Sequence, residues 1–357
     1  MTLINIEDFE ILAKEKLTKN AYDYYSSGAH DEITLKENCE AFKRIFLKYR
    51  VLVDVSNIDL TTKVLGHDIS MPVMIAPTAF HKMADEEGEV AVARAAGKAG
   101  TIMILSTLSN SDIEEVVAAS VGPVWFQLYV YKDREVTRDL IIRAENAGCK
   151  AIVLTVDAPF LGTRERDVRN RFYLPEGLSV KNLLPVQKHN VPKIDNSGLS
   201  AYVHEFLDPS LSWKDISWLK SITKLPLIIK GIACAEDAQL CVENGAAGIV
   251  VSNHGGRQLD TCRATIDVLP EVSKLVDEKI EIYLDGGIRR GTDVIKALAL
   301  GAKAVLIGRP VIWGLSAEGE KGVTAVLEIF RKETELAMAL CGCDSIKKIS
   351  RNLIAQK

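Results

Sequence analysis

Eight short apolar runs recur along the chain, separated by segments whose apolar residues have helical spacing. The runs occupy residues 73–76, 102–105, 124–127, 151–154, 227–230, 248–251, 281–284 and 304–307. Their continuous apolar character is typical of strands that are buried on both faces. Helical patterns lie between them, for example at residues 86–99, 134–147, 235–244 and 291–300.

The alternation of strand and helix decides the predicted fold class. Several helical segments end in Ala-Gly or Asn-Gly, which indicates a left-handed stop before the next strand. Eight strand-helix units predict an α/β protein with a (β/α)8 TIM barrel. The alternative is a doubly wound sheet, but it normally has fewer strands and a G-x-G-x-x-G motif after the first, and this sequence contains no such motif.

Two long segments fall outside the barrel count, although we expect residues 1–357 to form one domain. Residues 1–65 contain helical patterns at 6–17 and 34–46, and we expect them to form a helical cap over the bottom and side of the barrel. Residues 159–226 separate the fourth and fifth strands and are far longer than a usual connection. We therefore predict a lid over the active site there. Residues 322–340 have the amphipathic spacing of a packed helix.

Composition and charge narrow the function classes. The chain has 357 residues, of which 47% are hydrophobic and 26% charged, with a net charge of -4. This balance gives no electrostatic argument for nucleic acid or anionic membrane as a partner. No apolar stretch approaches the ~20 residues that cross a bilayer, and the start lacks a secretory signal, so an intracellular protein is predicted. Seven scattered cysteines without a Cys-x-x-Cys pair predict neither disulfides nor a metal site.

Polar residues follow several predicted strands directly, and barrel enzymes place their chemistry at these carboxyl ends. His254 and Arg257 follow the sixth strand in the segment 252–260. A histidine can accept a proton near neutral pH, and an arginine fork matches a carboxylate. Asp157 closes the fourth strand, where it could orient His254 and stabilise its imidazolium form. These residues predict a base beside a carboxylate-binding group.

Further strand ends add a cation and several uncharged hydrogen-bonding groups. Lys230 closes the fifth strand and is either a Schiff-base lysine or the positive group that stabilises an electron-rich cofactor ring. Ser106, Gln127 and Tyr129 end the second and third strands and suit a polar ring such as a flavin. Charged residues at 164–171 follow the fourth strand; for most we expect a solvated helix face, with Arg164 as the exception because it lies nearest the strand end.

The last two strands end in glycine-containing turns with one arginine each, at 285–289 and 308–310. In barrels these two loops commonly bind phosphate, since glycine lets backbone N–H groups approach the anion and arginine completes the cage. The alternative is a pair of tight turns without a ligand. The pattern favours a phosphorylated ligand.

Six stretches of the sequence, taken together, resemble the FMN-dependent 2-hydroxy acid oxidase family, which includes glycolate oxidase and lactate oxidase. They are residues 24–29, 76–79, 127–129, 155–157, 252–260 and 285–287. The resemblance extends over essentially the whole chain.

This resemblance implies a role for each matching residue. His254 is similar to the family's proton acceptor and Asp157 to the carboxylate that supports it. Lys230 is similar to the lysine that stabilises the reduced flavin ring. The implied substrate contacts are Tyr24, Leu108, Tyr129, Arg164, His254 and Arg257. The implied FMN contacts are Pro77, Thr78, Ala79, Ser106, Gln127, Tyr129, Thr155, Lys230, Ser252, Asp285, Gly286, Gly287, Arg289, Gly308 and Arg309.

The resemblance also implies a reaction: an (S)-2-hydroxy-acid oxidase converts an L-2-hydroxy acid to the 2-oxo acid, and O2 becomes H2O2. Glycolate oxidases resembling this chain carry a tryptophan where it has Leu108, so we expect lactate or a longer aliphatic acid to be favoured over glycolate. Two alternatives remain, a dehydrogenase of the same family that uses a quinone or cytochrome, and an inactive phosphate-binding barrel. The sequence does not choose between a hydride and a carbanion mechanism.

Assembly and compartment are expectations of the same kind. Relatives within this family form symmetric tetramers, so a homotetramer is predicted. The last four residues, 354–357, lack a Ser-Lys-Leu-type peroxisomal address. We therefore expect a cytoplasmic protein, or a peroxisomal one if the tail was trimmed.

Overall fold

The predicted barrel is present. A computed structural model describes residues 2–186 and 198–355, in which eight parallel strands close on one another. The strands of the described residues are β1 Thr62–Val64, β2 His67–Ile69, β3 Val73–Ile75, β4 Met103–Leu105, β5 Val124–Leu128, β6 Ile152–Thr155, β7 Leu227–Ile232, β8 Gly248–Val251, β9 Glu281–Leu284 and β10 Ala304–Ile307. Strands β3 to β10 form the barrel in sequence order, and β10 pairs with β3 to close it.

Helices pack around the barrel and before it in the chain. They are α1 Ile6–Lys16, α2 Lys19–Ser26, α3 Ile33–Lys43, α4 Gly88–Lys98, α5 Ile113–Ala119, α6 Arg134–Ala147, α7 Glu165–Asn170, α8 Gly198–Phe206, α9 Asp215–Ile222, α10 Ala235–Glu243, α11 Thr265–Val276, α12 Gly291–Ala299 and α13 Arg309–Cys341. The predicted left-handed stops are confirmed at Gly148 (φ 99°) and Gly245 (φ 68°). The predicted C-terminal helix is the second half of α13, after a break at Glu318 and Gly319.

Alternation along the strands fills the barrel interior. The inward residues form a core cluster separate from the one between the strands and the outer helices. Each barrel strand contributes to this cluster, and β10 contributes Ala304 in addition to the following residues: Met74, Ile104, Trp125, Val153, Ile228, Val250, Tyr283 and Leu306. Because side chains alternate with a period of two, the residue two positions further along each strand also points inward, now at the mouth.

The segment before β3 covers both ends of the barrel, which differs from the expectation of a cap at the bottom and side. The bottom is closed by the antiparallel pair β1 and β2, whose Val64 and Ile69 pack into the interior cluster. The Leu65 amide donates to the carboxylate of Glu281, the first residue of β9. Helix α2 lies at the opposite end, where Tyr24 and Tyr25 reach the mouth. The helical spacing had given no information about which end each part covers.

The long connection between β6 and β7 contains α7, a 3-10 turn at Lys181–Val186, α8 and α9. Residues 187–197 of the predicted lid lie outside the described residues. Helix α7 contacts α2, and Arg166 of α7 forms an ion pair with Glu32 at 2.6 Å. In the part of the chain described, no helix combines the length and apolar character that a membrane span requires.

Candidate active site

A large cleft opens at the carboxyl ends of the barrel strands. It encloses about 1170 Å³, including the part open to solvent, somewhat more than the roughly 300–1,000 Å³ of common ligand pockets. Residues from all eight strand ends, from α2 and from the β6–β7 connection line it. The cleft therefore has room for a cofactor and a small substrate together.

Strand alternation explains which side chains face this cleft. The inward positions that follow the interior cluster are polar and come from six different strands: Ser106, Gln127, Thr155, Lys230, Ser252 and Asp285. All six are at least nine-tenths buried. A barrel whose interior is apolar below and polar at its mouth binds a polar ligand at that mouth.

His254 and Asp157 form a close pair at the side of the cleft. The Nδ1 atom of His254 lies 2.8 Å from the Asp157 carboxylate, with side chains 20% and 12% exposed. Burial lowers the pKa of His254 below its ordinary value, although the Asp157 charge offsets part of this effect. Burial opposes the ionisation of Asp157, but His254 and then Lys230 hold the pKa of its carboxyl below the usual range. Nε2 of a neutral His254 is therefore the nitrogen left to accept a proton.

The backbone around His254 is strained in a defined way. His254 has φ 57°, and Gly255 and Gly256 follow with φ 64° and 75°. A non-glycine residue in this left-handed region costs about 1–3 kcal/mol, and such residues concentrate at functional sites. A Cβ at Gly256 would lie 2.6 Å from the Leu35 amide nitrogen, so α3 packs directly against this turn. The glycines thus let the loop turn sharply and present His254 to the cleft.

Lys230 is held as a cation at the base of the cleft. Its Nζ lies 3.1 Å from the Asp285 carboxylate and donates to the Ser252 hydroxyl at 3.0 Å. Burial disfavours the charge, but Asp285 and Asp157 together raise the pKa of Lys230 above its ordinary value. A Schiff-base lysine needs the opposite shift. Of the two roles predicted for Lys230, the structure favours the positive group that stabilises an electron-rich ring.

Two guanidinium groups and two phenols line the outer part of the cleft. Burial, with Arg257 nearby, lowers the pKa of Arg164 to about 10, so Arg164 is charged at neutral pH. The Nη1 of Arg257 donates to the carbonyls of Tyr24 and Ser27, and its guanidinium lies 5.0 Å from the Tyr24 ring centre. Burial raises the pKa values of Tyr24 and Tyr129, so both phenols keep their protons. This arrangement suits a bound carboxylate.

The inner part of the cleft fits FMN by its unsatisfied polar atoms. The Gln127 side-chain nitrogen and one Asp285 oxygen are buried without a partner among the described residues. A buried polar atom without a hydrogen-bond partner destabilises the folded protein unless a ligand supplies that partner. Gly286 and Gly287 turn with φ 93° and 90°, beside Arg289. A flavin ring, a ribityl chain and a phosphate would meet these three features in turn.

The structure brings the predicted site residues together around the cleft. Two of them lie behind the residues that line it. Asp157 and Ser252 do not line the cleft but contact His254 and Lys230, which do. Arg309 lines the cleft, while its guanidinium donates to the carbonyls of Tyr25, Gly255 and Ser27, so it also ties α2 to the mouth.

Several lining residues were not predicted. Four of them are apolar residues of the β6–β7 connection, where no periodic pattern or motif marks them: Ala158, Leu161, Val203 and Leu207. Gln258 was also missed as a site residue, although it lies in the motif 252–260 and its position next to Arg257 could have drawn attention to it.

Comparison with known proteins agrees with this geometry. The family model described as FMN-dependent dehydrogenase matches residues 13–356. Glycolate oxidase of Spinacia oleracea is 57% identical over 355 residues, which cover 99% of this chain and 96% of that protein. Glycolate oxidase 3 of Arabidopsis thaliana is 56% identical over 354 residues, with the same coverage of 99% and 96%.

Solved structures give the same result for the fold. A crystal structure of mandelate oxidase aligns with a TM-score of 0.92 at 40% identity and covers 100% of this chain and 99% of that one. Its complex with (S)-4-hydroxymandelic acid aligns with a TM-score of 0.94 at 40% identity and covers 99% of each chain. The family resemblance and the cofactor expected from the sequence are confirmed, and the cofactor is FMN. The chain therefore belongs to the FMN-dependent 2-hydroxy acid oxidase family.

Proposed function

We propose that this protein oxidises an L-2-hydroxy acid with an aliphatic side chain, lactate or longer, in preference to glycolate, and forms the 2-oxo acid and H2O2. The observation that carries the reaction is the His254–Asp157 pair at 2.8 Å beside the guanidinium groups of Arg164 and Arg257. The observation that carries the chain-length preference is the aliphatic side chain of Leu108 at the cleft wall.

Substrate binding follows from charge and fork geometry. The Nη1 of Arg257 donates to the carbonyls of Tyr24, Tyr25 and Ser27, and its guanidinium lies against the Tyr24 phenol, so this arginine and this phenol can bind the same substrate carboxylate. A charged Arg164 completes a two-armed site for the substrate carboxylate, and a buried guanidinium binds a carboxylate more strongly than an exposed one. The Tyr24 and Tyr129 hydroxyls stay protonated and can donate to the carboxylate or the substrate hydroxyl.

Proton removal is assigned to His254. Because Asp157 holds Nδ1, the other ring nitrogen takes the substrate proton while Asp157 stabilises the imidazolium that forms. FMN, when bound, accepts two electrons from the substrate and returns them to O2. Lys230 keeps a positive charge at the base of the cleft, where it would offset negative charge on the reduced flavin.

The chain-length preference rests on an apolar wall. Leu108 is 6% exposed and lines the cleft together with Leu161, Val203 and Leu207. An aliphatic wall of this kind can bury methylene groups at about 0.8 kcal/mol each, whereas glycolate has none to bury. The named relatives include glycolate oxidases and mandelate oxidases, so the family accommodates side chains from a hydrogen to a phenyl ring.

The test is a visible spectrum of the purified protein with anaerobic addition of glycolate, L-lactate or L-2-hydroxyoctanoate. We expect flavin absorbance that bleaches faster with the two longer acids and returns with H2O2 on admission of air. D-lactate is the matched control and should not bleach it. Bleaching by glycolate alone would contradict the chain-length preference, and a reduced flavin that persists in air would contradict the oxidase assignment.

The predicted homotetramer and the predicted compartment stay predictions. Sedimentation of the holoenzyme at micromolar concentration would decide the first, with a mass near four chains as the expected result.

A further inference from the structure

Gln258 is a buried amide that connects the part of the active site around Asp157 with the part around Arg164. It is 9% exposed and follows Arg257 directly. Its Nε2 donates to the carbonyls of Asp157 at 2.9 Å and Phe160 at 2.8 Å. Its Oε1 accepts from the Gly162 amide at 3.1 Å and from Arg164 at a longer 3.4 Å. Both donors and both acceptor positions of the amide are therefore used.

The groups that Gln258 contacts all lie on one short segment, residues 157–164. This segment begins with the partner of His254 and ends with Arg164. At the first end, Asp157 is also confined from the other side, because a Cβ at Gly231 would lie 2.7 Å from the Asp157 Cβ. Near the other end, a Cβ at Gly162 would lie 2.5 Å from the Gln258 carbonyl oxygen. Segment 157–164 thus packs directly on the loop that carries His254 and Arg257.

Only an amide satisfies this set of partners. Two carbonyl oxygens need donors and two N–H groups need an acceptor, so the orientation of the amide is fixed by its neighbours. A carboxylate would face the carbonyls of Asp157 and Phe160 with an oxygen, and a thioether would leave all four partners unsatisfied. A buried polar group without a hydrogen-bond partner destabilises the folded protein. Segment 157–164 would therefore shift until its carbonyl and N–H groups have other partners.

We propose that Gln258 is a positioning residue that sets Asp157 against His254 and Arg164 against the substrate carboxylate at the same time. Gln258 lies at the edge of the cleft, but its amide atoms are used by residues 157–164, so it acts through those two residues. The inference rests on the proposed oxidase function, since it concerns the proton acceptor and the carboxylate site of that reaction. It adds a shared support for two groups that the reaction needs in fixed relation.

The test compares Gln258→Met and Gln258→Glu with the parent holoenzyme, and Leu259→Ala serves as the control because Leu259 is 73% exposed on the neighbouring position. Three quantities are measured: the anaerobic rate of flavin reduction against pH, the Kd of oxalate by calorimetry, and the melting temperature. Oxalate is the probe because it has a carboxylate and no hydrogen to lose. Misplacement by about 1 Å can cost on the order of 100-fold in rate.

For Gln258→Met we expect flavin to stay bound, the reduction rate to fall about 10- to 100-fold, and oxalate to bind at least fivefold more weakly. The acid limb of the pH profile should move to lower pH, because an Asp157 that has turned away no longer raises the pKa of His254. Gln258→Glu keeps an acceptor for Gly162 and Arg164, so we expect it to keep oxalate binding and to show the shifted acid limb.

Coupling separates positioning from general loss of stability. On an Asp157→Asn background, Gln258→Met should produce no further shift of the acid limb and a smaller loss of rate than on the parent. Additive losses, or an unshifted limb in both Gln258 variants, would overturn the proposal. If the Met variant fails to fold, the Glu variant decides the question by its acid limb alone. A parent enzyme that no 2-hydroxy acid reduces would instead refute the proposed function.

Discussion

Replacing Asp157 with Asn tests the proton-transfer assignment most directly, because the shape of the side chain is kept and its charge is removed. The carboxylate lies 2.8 Å from Nδ1 of His254, which places the two charge centres about 4 Å apart once the imidazolium forms. At an effective dielectric constant of about 20, such a pair is stabilised by roughly 4 kcal/mol. The proton is only partly transferred in the transition state, so about half of this energy, ~2 kcal/mol, affects the rate. The expected loss is therefore about 30-fold.

The assay is stopped-flow anaerobic reduction of the flavin across a pH series. In the parent, activity should fall with decreasing pH as His254 becomes protonated, and the limb should lie below the ordinary histidine range because burial lowers the pKa of this imidazole. In Asp157→Asn the limb should move to still lower pH, because the offsetting negative charge is gone. Asp260→Asn is the control, since Asp260 caps α3 outside the cleft. A rate within threefold of the parent and an unmoved limb would refute the reasoning.

Three further predictions concern the apolar wall at Leu108, the glycine turn at Gly287 and the carboxylate site at Arg257. Leu108→Trp should reduce kcat/KM for L-2-hydroxyoctanoate at least tenfold and leave that for glycolate within threefold, as measured by oxygen uptake; equal losses for both acids would contradict the assigned wall. Gly287→Ala should lose FMN and melt at lower temperature, since its Cβ would lie 1.9 Å from the Asn38 carbonyl oxygen. Gly66→Ala is the control: Gly66 has φ 82° and open space around it, so the free energy of unfolding should fall by only about 1 kcal/mol. Arg257→Lys should raise the KM for lactate at least tenfold, because a point charge does not replace a planar fork, and an unchanged KM would assign the carboxylate elsewhere.

Periodicity and strand-end chemistry predicted most of the inner site. Lys230, Asp285 and Gln127 share one property, that each lies two residues beyond an inward-facing core residue of its strand. Once the eight strands are recognised, alternation alone places such residues at the mouth. The turn at His254 was visible for a similar reason, since glycines at Gly255 and Gly256 permit a left-handed backbone that few other residues adopt.

The outer site was less accessible to the sequence because tertiary contacts determine it. Helix α2 has an ordinary helical pattern, and that pattern does not tell which end of the barrel it covers. The guanidinium groups of Arg257 and Arg309 fix its position by donating to the carbonyls of Tyr25 and Ser27. These acceptors are backbone atoms, which every residue carries, so residue identity held no signal for them.

The same limitation explains why Gln258 was missed while its neighbour Arg257 was found. Arginine carries an unusual charge, and its function can be inferred from its own chemistry. A glutamine acts here through the backbone groups of Asp157, Phe160 and Gly162, which lie about a hundred residues earlier in the chain. Because those partners become neighbours only when the barrel closes and the β6–β7 connection folds over it, the role of Gln258 is a property of the assembled mouth. Residues that position catalytic groups are therefore the part of this site for which the structure adds most.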